Sequence, residues 1–120
     1  MDIKKLLANE RNHRSLPFWS WNEKLELEET RLQVREMEEA GLGGYFMHAR
    51  GGLKTEYMGS EWFDNVEVGA SCGKQKDMQA WAYDENGWPS GFGDSKVNAL
   101  DEKYWQKYLR CERNGEENGR

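Results

Sequence analysis

The chain has few of the residues that would announce a metal, a covalent scaffold or a membrane. Two cysteines, Cys72 and Cys111, stand in 120 residues. They are too few for a disulfide framework and too far apart for a metal knuckle, so they read as free thiols of a reducing compartment. The two histidines, His13 and His48, have no His or Cys at zinc-ligand spacing, which argues against structural zinc. Positive charge is in deficit: 17 Lys+Arg against 22 Asp+Glu give a net charge of −5. That balance argues against a general nucleic-acid binder. No apolar run approaches the roughly 18–20 residues of a membrane span. Behind Met1-Asp2-Ile3-Lys4-Lys5 lies only the apolar patch Leu6-Leu7-Ala8, too short for a secretory core, so a cytoplasmic location is expected. No internal repeat and no low-complexity tract is present.

Aromatic residues, in contrast, are abundant. Six Trp, five Tyr and four Phe make up 12% of the chain, more than disordered chains carry, so a folded piece with a charged surface is expected. They gather in three short apolar stretches, each running into a Gly- or Asn-containing loop: Pro17–Asn22, Gly43–Ala49 and Gln79–Asp84. Between the first two, Leu27, Thr30, Val34 and Met37 step by +3, +4 and +3, the period of one helix face, with Gly41 as the stop. Between the second and third, Ser60 is placed to cap a helix whose stripe is Trp62, Val66 and Ala70. Gly69 and Gly73 weaken that helix by about 1 kcal/mol each relative to alanine. A further helix is expected around Leu100–Leu109, and a frayed polar tail from residue 111 to residue 120.

The order strand, helix, strand, helix, strand points to an α/β fold in which a parallel sheet carries helices. In such sheets ligands meet the carboxyl ends of the strands. Those ends hold Trp19, Trp21 and Asn22, then His48 and Arg50 before Gly51-Gly52, then Asp84, Glu85 and Asn86 before Trp88. Indole faces stack on sugar rings, and carboxylate, amide and guanidinium groups fork hydrogen bonds onto hydroxyls. Carboxylates also do the acid/base work of glycoside cleavage. Each residue keeps a plainer reading. Tyr45 and Trp81 are expected in the core, and so is one of Trp19 and Trp21. His48 reads either as a ligand contact or as a buried imidazole bonded to a backbone carbonyl, and Arg50 either as a contact or as a structural ion pair. Asp84 and Glu85 are catalytic candidates or a loop-capping pair. Being adjacent, they point apart, so at most one reaches a reacting centre. With loop carbonyls, these two carboxylates could also hold Ca2+. No other metal or cofactor is expected. A nucleotide-binding reading fails, because Gly41-Leu42-Gly43-Gly44 precedes a strand instead of leaving one.

Three segments carry a family likeness. Pro17-Phe18-Trp19-Ser20-Trp21-Asn22, the run from Gly43 to Leu53, and Tyr83-Asp84-Glu85-Asn86-Gly87-Trp88-Pro89-Ser90-Gly91-Phe92 resemble large bacterial glycoside-hydrolase-like proteins related to α-L-rhamnosidase-type enzymes. Leu27 and Thr30 depart from the pattern at positions that concern packing. The resemblance covers about residues 15–110 and implies the first units of a (β/α)8 (TIM) barrel. His48, Arg50, Asp84, Glu85 and Trp88 would then line a sugar pocket. A whole barrel takes about 250 residues. The expectation is therefore a partial barrel of about three units over residues 17–110, after a lead-in at 1–16. It would be an N-terminal, truncated glycosidase segment, incomplete for catalysis and open to self-association through its sheet edges. The alternative is a non-catalytic carbohydrate-binding remnant. The expected partner is a neutral or deoxy-sugar glycoside.

Overall fold

The structure, a computed structural model, describes residues 3, 4, 13–91 and 93–111. Three strands form one parallel sheet: β1 (Phe18–Trp21), β2 (Gly44–Ala49) and β3 (Gln79–Ala82), in the order β1-β2-β3. Two helices connect them, α1 (Leu27–Glu39) and α2 (Ser60–Gln75). The α/β alternation is thus as the apolar stretches imply. Register decides what each face of the sheet carries. Phe18, Phe46 and Trp81 are mutual partners across the three strands, whereas Trp19 pairs with Met47, and Tyr45 with Ala80. Side chains alternate along a strand, so one face presents Trp19, Trp21, Tyr45, Met47, Ala49 and Ala80.

Both helices cover that face. The core holds Trp21, Val34, Tyr45, Met47, Ala49, Tyr57, Trp62 and Met78. From α1, the Gln33 side chain accepts the Trp19 indole N–H at 2.6 Å. From α2, the Gly69 carbonyl accepts the Tyr45 hydroxyl at 2.7 Å. Thr30 Oγ1 donates to Asn65 Oδ1 at 2.6 Å and ties the helices together, a buried polar pair that satisfies both groups.

Helix ends follow local chemistry. At α1 the Gly41 N–H reaches the Glu38 carbonyl and the Leu42 N–H the Met37 carbonyl, with Gly41 at φ +81°. Only glycine enters that left-handed conformation without strain, so the stop read at Gly41 is a Schellman turn.

Four expectations need correction. Ser60 does not cap α2; it is the helix's first residue, and Gly59 is the cap, without a side-chain bond. The buried stripe of α2 is Trp62, Asn65, Gly69 and Gly73, and Ala70 is exposed. Leu27, assigned to the buried face of α1, is also exposed. In place of a helix over Leu100–Leu109 there is one 3-10 turn, Glu102–Tyr104, flanked by exposed chain. A lone apolar stripe gains nothing from a helix unless a surface receives it. The expected tail falls, beyond Cys111, outside the described residues, as does most of the lead-in. Cys72 and Cys111 are free thiols. Among the described residues no helix is long and apolar enough to cross a membrane.

Tyr45 gives the core a measurable pH limit. Burial, with a smaller push from Cys72 against a lowering bond to the Gly73 backbone, raises its phenol from 10.0 to about 12. The fold favours the neutral phenol. Its contribution is therefore complete below pH 10 and is lost as pH rises from 10 towards 12, about 2–3 kcal/mol in all. Near-UV circular dichroism recorded alongside tyrosinate absorbance is expected to show loss of tertiary packing in that window. In a Tyr45→Phe variant, unfolding governed by this group is expected to disappear.

Candidate functional site

Parallel pairing brings the carboxyl ends of all three strands to one edge, and the loops that leave them lock together there. The Arg50 N–H donates to the Trp21 carbonyl and the Gly87 N–H to the Ala49 carbonyl, at 3.0 and 2.9 Å. The Lys54 N–H reaches the Glu23 carbonyl, and the Leu25 N–H the Thr55 hydroxyl. Lys96 Nζ donates to the Tyr57 carbonyl at 3.1 Å, joining the third loop to the second. Asn22, Arg50, Asp84 and Asn86 therefore share one rim. All but the half-buried Asn86 are exposed.

The face opposite the helices runs up to this rim as a row of rings. Phe18 stacks on Phe46 at 5.3 Å and Phe46 on Trp81 at 5.8 Å. Phe18 and Trp81 remain 52% and 51% exposed, so Trp81 is not the core residue its strand position suggests. Above the row, His48 contacts the Tyr83 ring at 4.2 Å, and Tyr83 stacks on Trp88 at 6.0 Å with planes 13° apart. Trp88, 70% exposed, presents its outer face to solvent.

Not every candidate reaches the rim. Trp21 turns to the helix face, buried in edge contact with Trp62. Trp19 is half-buried on the same face, bonded to Gln33. Neither indole forms a wall with Trp88, because both have the parity of Met47 and Ala49. Period two identified their common side, and the missing information was which side the helices take.

Glu85 is 1% exposed, and its carboxylate is engaged by the loop that follows. Oε1 accepts the N–H groups of Asn86 (2.9 Å) and Asp94 (2.7 Å); Oε2 accepts those of Gly91 (3.2 Å) and Gly93 (2.6 Å). This is the loop-capping alternative, and it accounts for how a carboxylate is tolerated inside. Asp84 points outward and accepts the Ser90 hydroxyl at 2.8 Å. His48 also takes its plainer alternative: it is fully buried, and its Nε2–H donates to the Gly87 carbonyl at 3.0 Å. Its Nδ1 is buried with no hydrogen-bond partner among the described residues.

Three rim residues escaped the sequence reading. Tyr83 backs both His48 and Trp88, and its position two residues after Trp81 was the available signal. Asp94 accepts the Asn86 amide at 2.9 Å. Tyr57 lies buried beside the acidic loop; burial first, then Glu85, Asp84 and Asp94, push its phenol up. Among the described residues no group of three or more His, Cys, Asp or Glu side chains could hold a metal ion.

The geometry offers an exposed indole backed by a second ring, at the edge that also carries amide, guanidinium and carboxylate groups. Comparison with protein-family models, with curated proteins and with solved structures returns no match.

Proposed function

We propose that the rim is a carbohydrate site and that the chain forms the first units of a (β/α)8-type glycoside hydrolase acting on neutral or deoxy-sugar glycosides. One observation carries this reading: Trp88 stacks on Tyr83 and stays 70% exposed, in the loop that leaves β3 at the same sheet edge as Asn22, Arg50, Asp84 and Asn86. A flat indole suits the C–H face of a pyranose, and the surrounding groups suit its hydroxyls. The consecutive strand order, with both helices on one face, supports barrel units. The row Phe18–Phe46–Trp81 would then face the barrel interior, where further units or a second copy would cover it.

Glycoside hydrolysis uses two carboxyl groups, about 5–5.5 Å apart for retention or about 6.5–9.5 Å for inversion. With Glu85 held by its loop, Asp84 is the rim's outward carboxylate and the one proposed to meet substrate. Binding without turnover is therefore the expected behaviour of this chain, which favours the carbohydrate-binding alternative for the segment acting by itself.

Tryptophan fluorescence titrated with L-rhamnose and neutral oligosaccharides tests the proposal. A saturable change is expected, and Trp88→Ala is expected to weaken binding at least tenfold, about 1.4 kcal/mol, while leaving the unfolding midpoint in urea within error. Equal affinity in the two proteins would remove the site from Trp88.

A further inference from the structure

Glu85 spends a buried carboxylate on four backbone N–H groups of one loop, and that loop is strained. Gly87, Gly91 and Gly93 have φ of +100°, +115° and +56°. Asp94 and Ser95, which are not glycine, sit at +55° and +61°. Left-handed backbone at successive non-glycine positions persists only where surrounding contacts dictate it. Here the contacts to the Gly91, Gly93 and Asp94 N–H groups come from one side chain. The same loop returns to β2 through Gly87, which is held at both ends: its N–H donates to the Ala49 carbonyl, and its carbonyl accepts the His48 Nε2–H. A carbonyl only accepts, so this contact requires the proton on Nε2, and in the neutral ring it selects the Nε2–H tautomer with Nδ1 as the acceptor. Trp88 is the next residue.

We propose that Glu85 is a positioning residue. By gathering the Asn86, Gly91, Gly93 and Asp94 N–H groups it fixes the Gly87 carbonyl on His48 and the Trp88 indole on Tyr83, so that one carboxylate sets both the imidazole tautomer and the stacking platform. The carbohydrate consequence rests on the reading above; the tautomer and the loop geometry do not. A general acid or base would need to offer its carboxyl group to substrate, whereas this one faces the backbone of its own loop. Substrate chemistry at the rim then belongs to the outward groups, and Glu85 acts through them.

The test uses the full chain, labelled with 15N. In the wild type, long-range 1H–15N correlations of His48, assigned with His48→Gln, are expected to show protonated Nε2 and unprotonated Nδ1. The four amides are expected to exchange with solvent more slowly than the exposed Ser95 amide. An unprotonated Nε2, or four amides exchanging as fast as Ser95, overturns the proposal without any Glu85 variant. Glu85→Gln retains one acceptor oxygen but turns an NH2 towards N–H donors. It is expected to mix the His48 tautomers and, where the wild type binds L-rhamnose or a neutral oligosaccharide, to weaken binding at least tenfold. Glu85→Asp, which keeps the charge, is expected to restore part of both. A Gln variant with unchanged tautomer and unchanged affinity overturns the proposal. A wild type that binds no sugar but shows the tautomer and the slow amides sinks the carbohydrate reading and upholds the positioning role.

Discussion

Gly44→Ala is expected to cost this fold about 4 kcal/mol or more, at the far end of what a single methyl group does. Position 44 opens β2 opposite Gln79. A Cβ there would collide with the Gln79 carbonyl oxygen and lie 2.8 Å from its carbonyl carbon. The obstacle is backbone, which cannot turn aside as a side-chain tip can. Relief requires β2 and β3 to separate at the point where the Gln79 N–H meets the Gly43 carbonyl. Overpacking ordinarily costs about 1–3 kcal/mol; loss of the start of a strand pair adds to it. Gly51→Ala is the control. No atom lies within 4 Å of its built Cβ, and its φ is not among the positive ones. It is expected to leave stability within about 0.5 kcal/mol. Urea unfolding followed by circular dichroism measures both, and similar midpoints for the two variants would show that β2 and β3 are not paired at this register.

Trp21→Ala is expected to cost about 3–5 kcal/mol, the range for truncating a large buried aromatic. Trp21 is 3% exposed and meets Trp19 and Trp62 edge-on at 5.4 and 6.3 Å. Its removal empties the space between β1 and α2 without touching the rim. The indole N–H has no hydrogen-bond partner among the described residues, so it adds bulk to the core and no bond. Trp21→Phe keeps a ring and discards that N–H, and it is expected to cost about 1–2 kcal/mol. Under conditions where each variant remains folded, sugar affinity should match the wild type. A selective loss of affinity with an unchanged midpoint in urea would return Trp21 to the pocket and reverse its placement in the core.

These two positions also show what the residue string could and could not convey. The three strands and α1 were legible because their signals are local: alternation, a 3.6-residue period and a glycine stop. Rim membership was legible for Asn22, Arg50, Asp84 and Asn86, since a parallel sheet puts successive strand ends together whatever else the chain does. The face taken by Trp19 and Trp21 was not legible, because β1 carries aromatic rings on both sides, Phe18 on one and the two indoles on the other, and only the helices choose between them. Gly69 and Gly73 misled for a related reason. Helix propensity counts them as weak points, whereas in the fold a Cβ would lie 2.6 Å from Met47 Sδ and 2.7 Å from the Tyr45 hydroxyl oxygen. Their smallness lets α2 approach the sheet, and that benefit is visible only from the partner's side. Glu85 was visible as a carboxylate at a strand end, but its four N–H partners depend on a loop conformation built from left-handed residues, which no short-range pattern specifies.

The interlocked loops have a bearing on how this chain tolerates change. Helix-to-sheet contacts lie along one flank, while the loop residues that meet at the strand tips hang on backbone hydrogen bonds between neighbours. Exposed side chains such as Arg50 and Trp88 can be exchanged without disturbing either set, so new recognition can be grafted there at little thermodynamic cost. The loops' glycines and Glu85 form the chassis, and a library that keeps them while varying exposed positions such as Arg50 and Trp88 should yield folded members with altered selectivity.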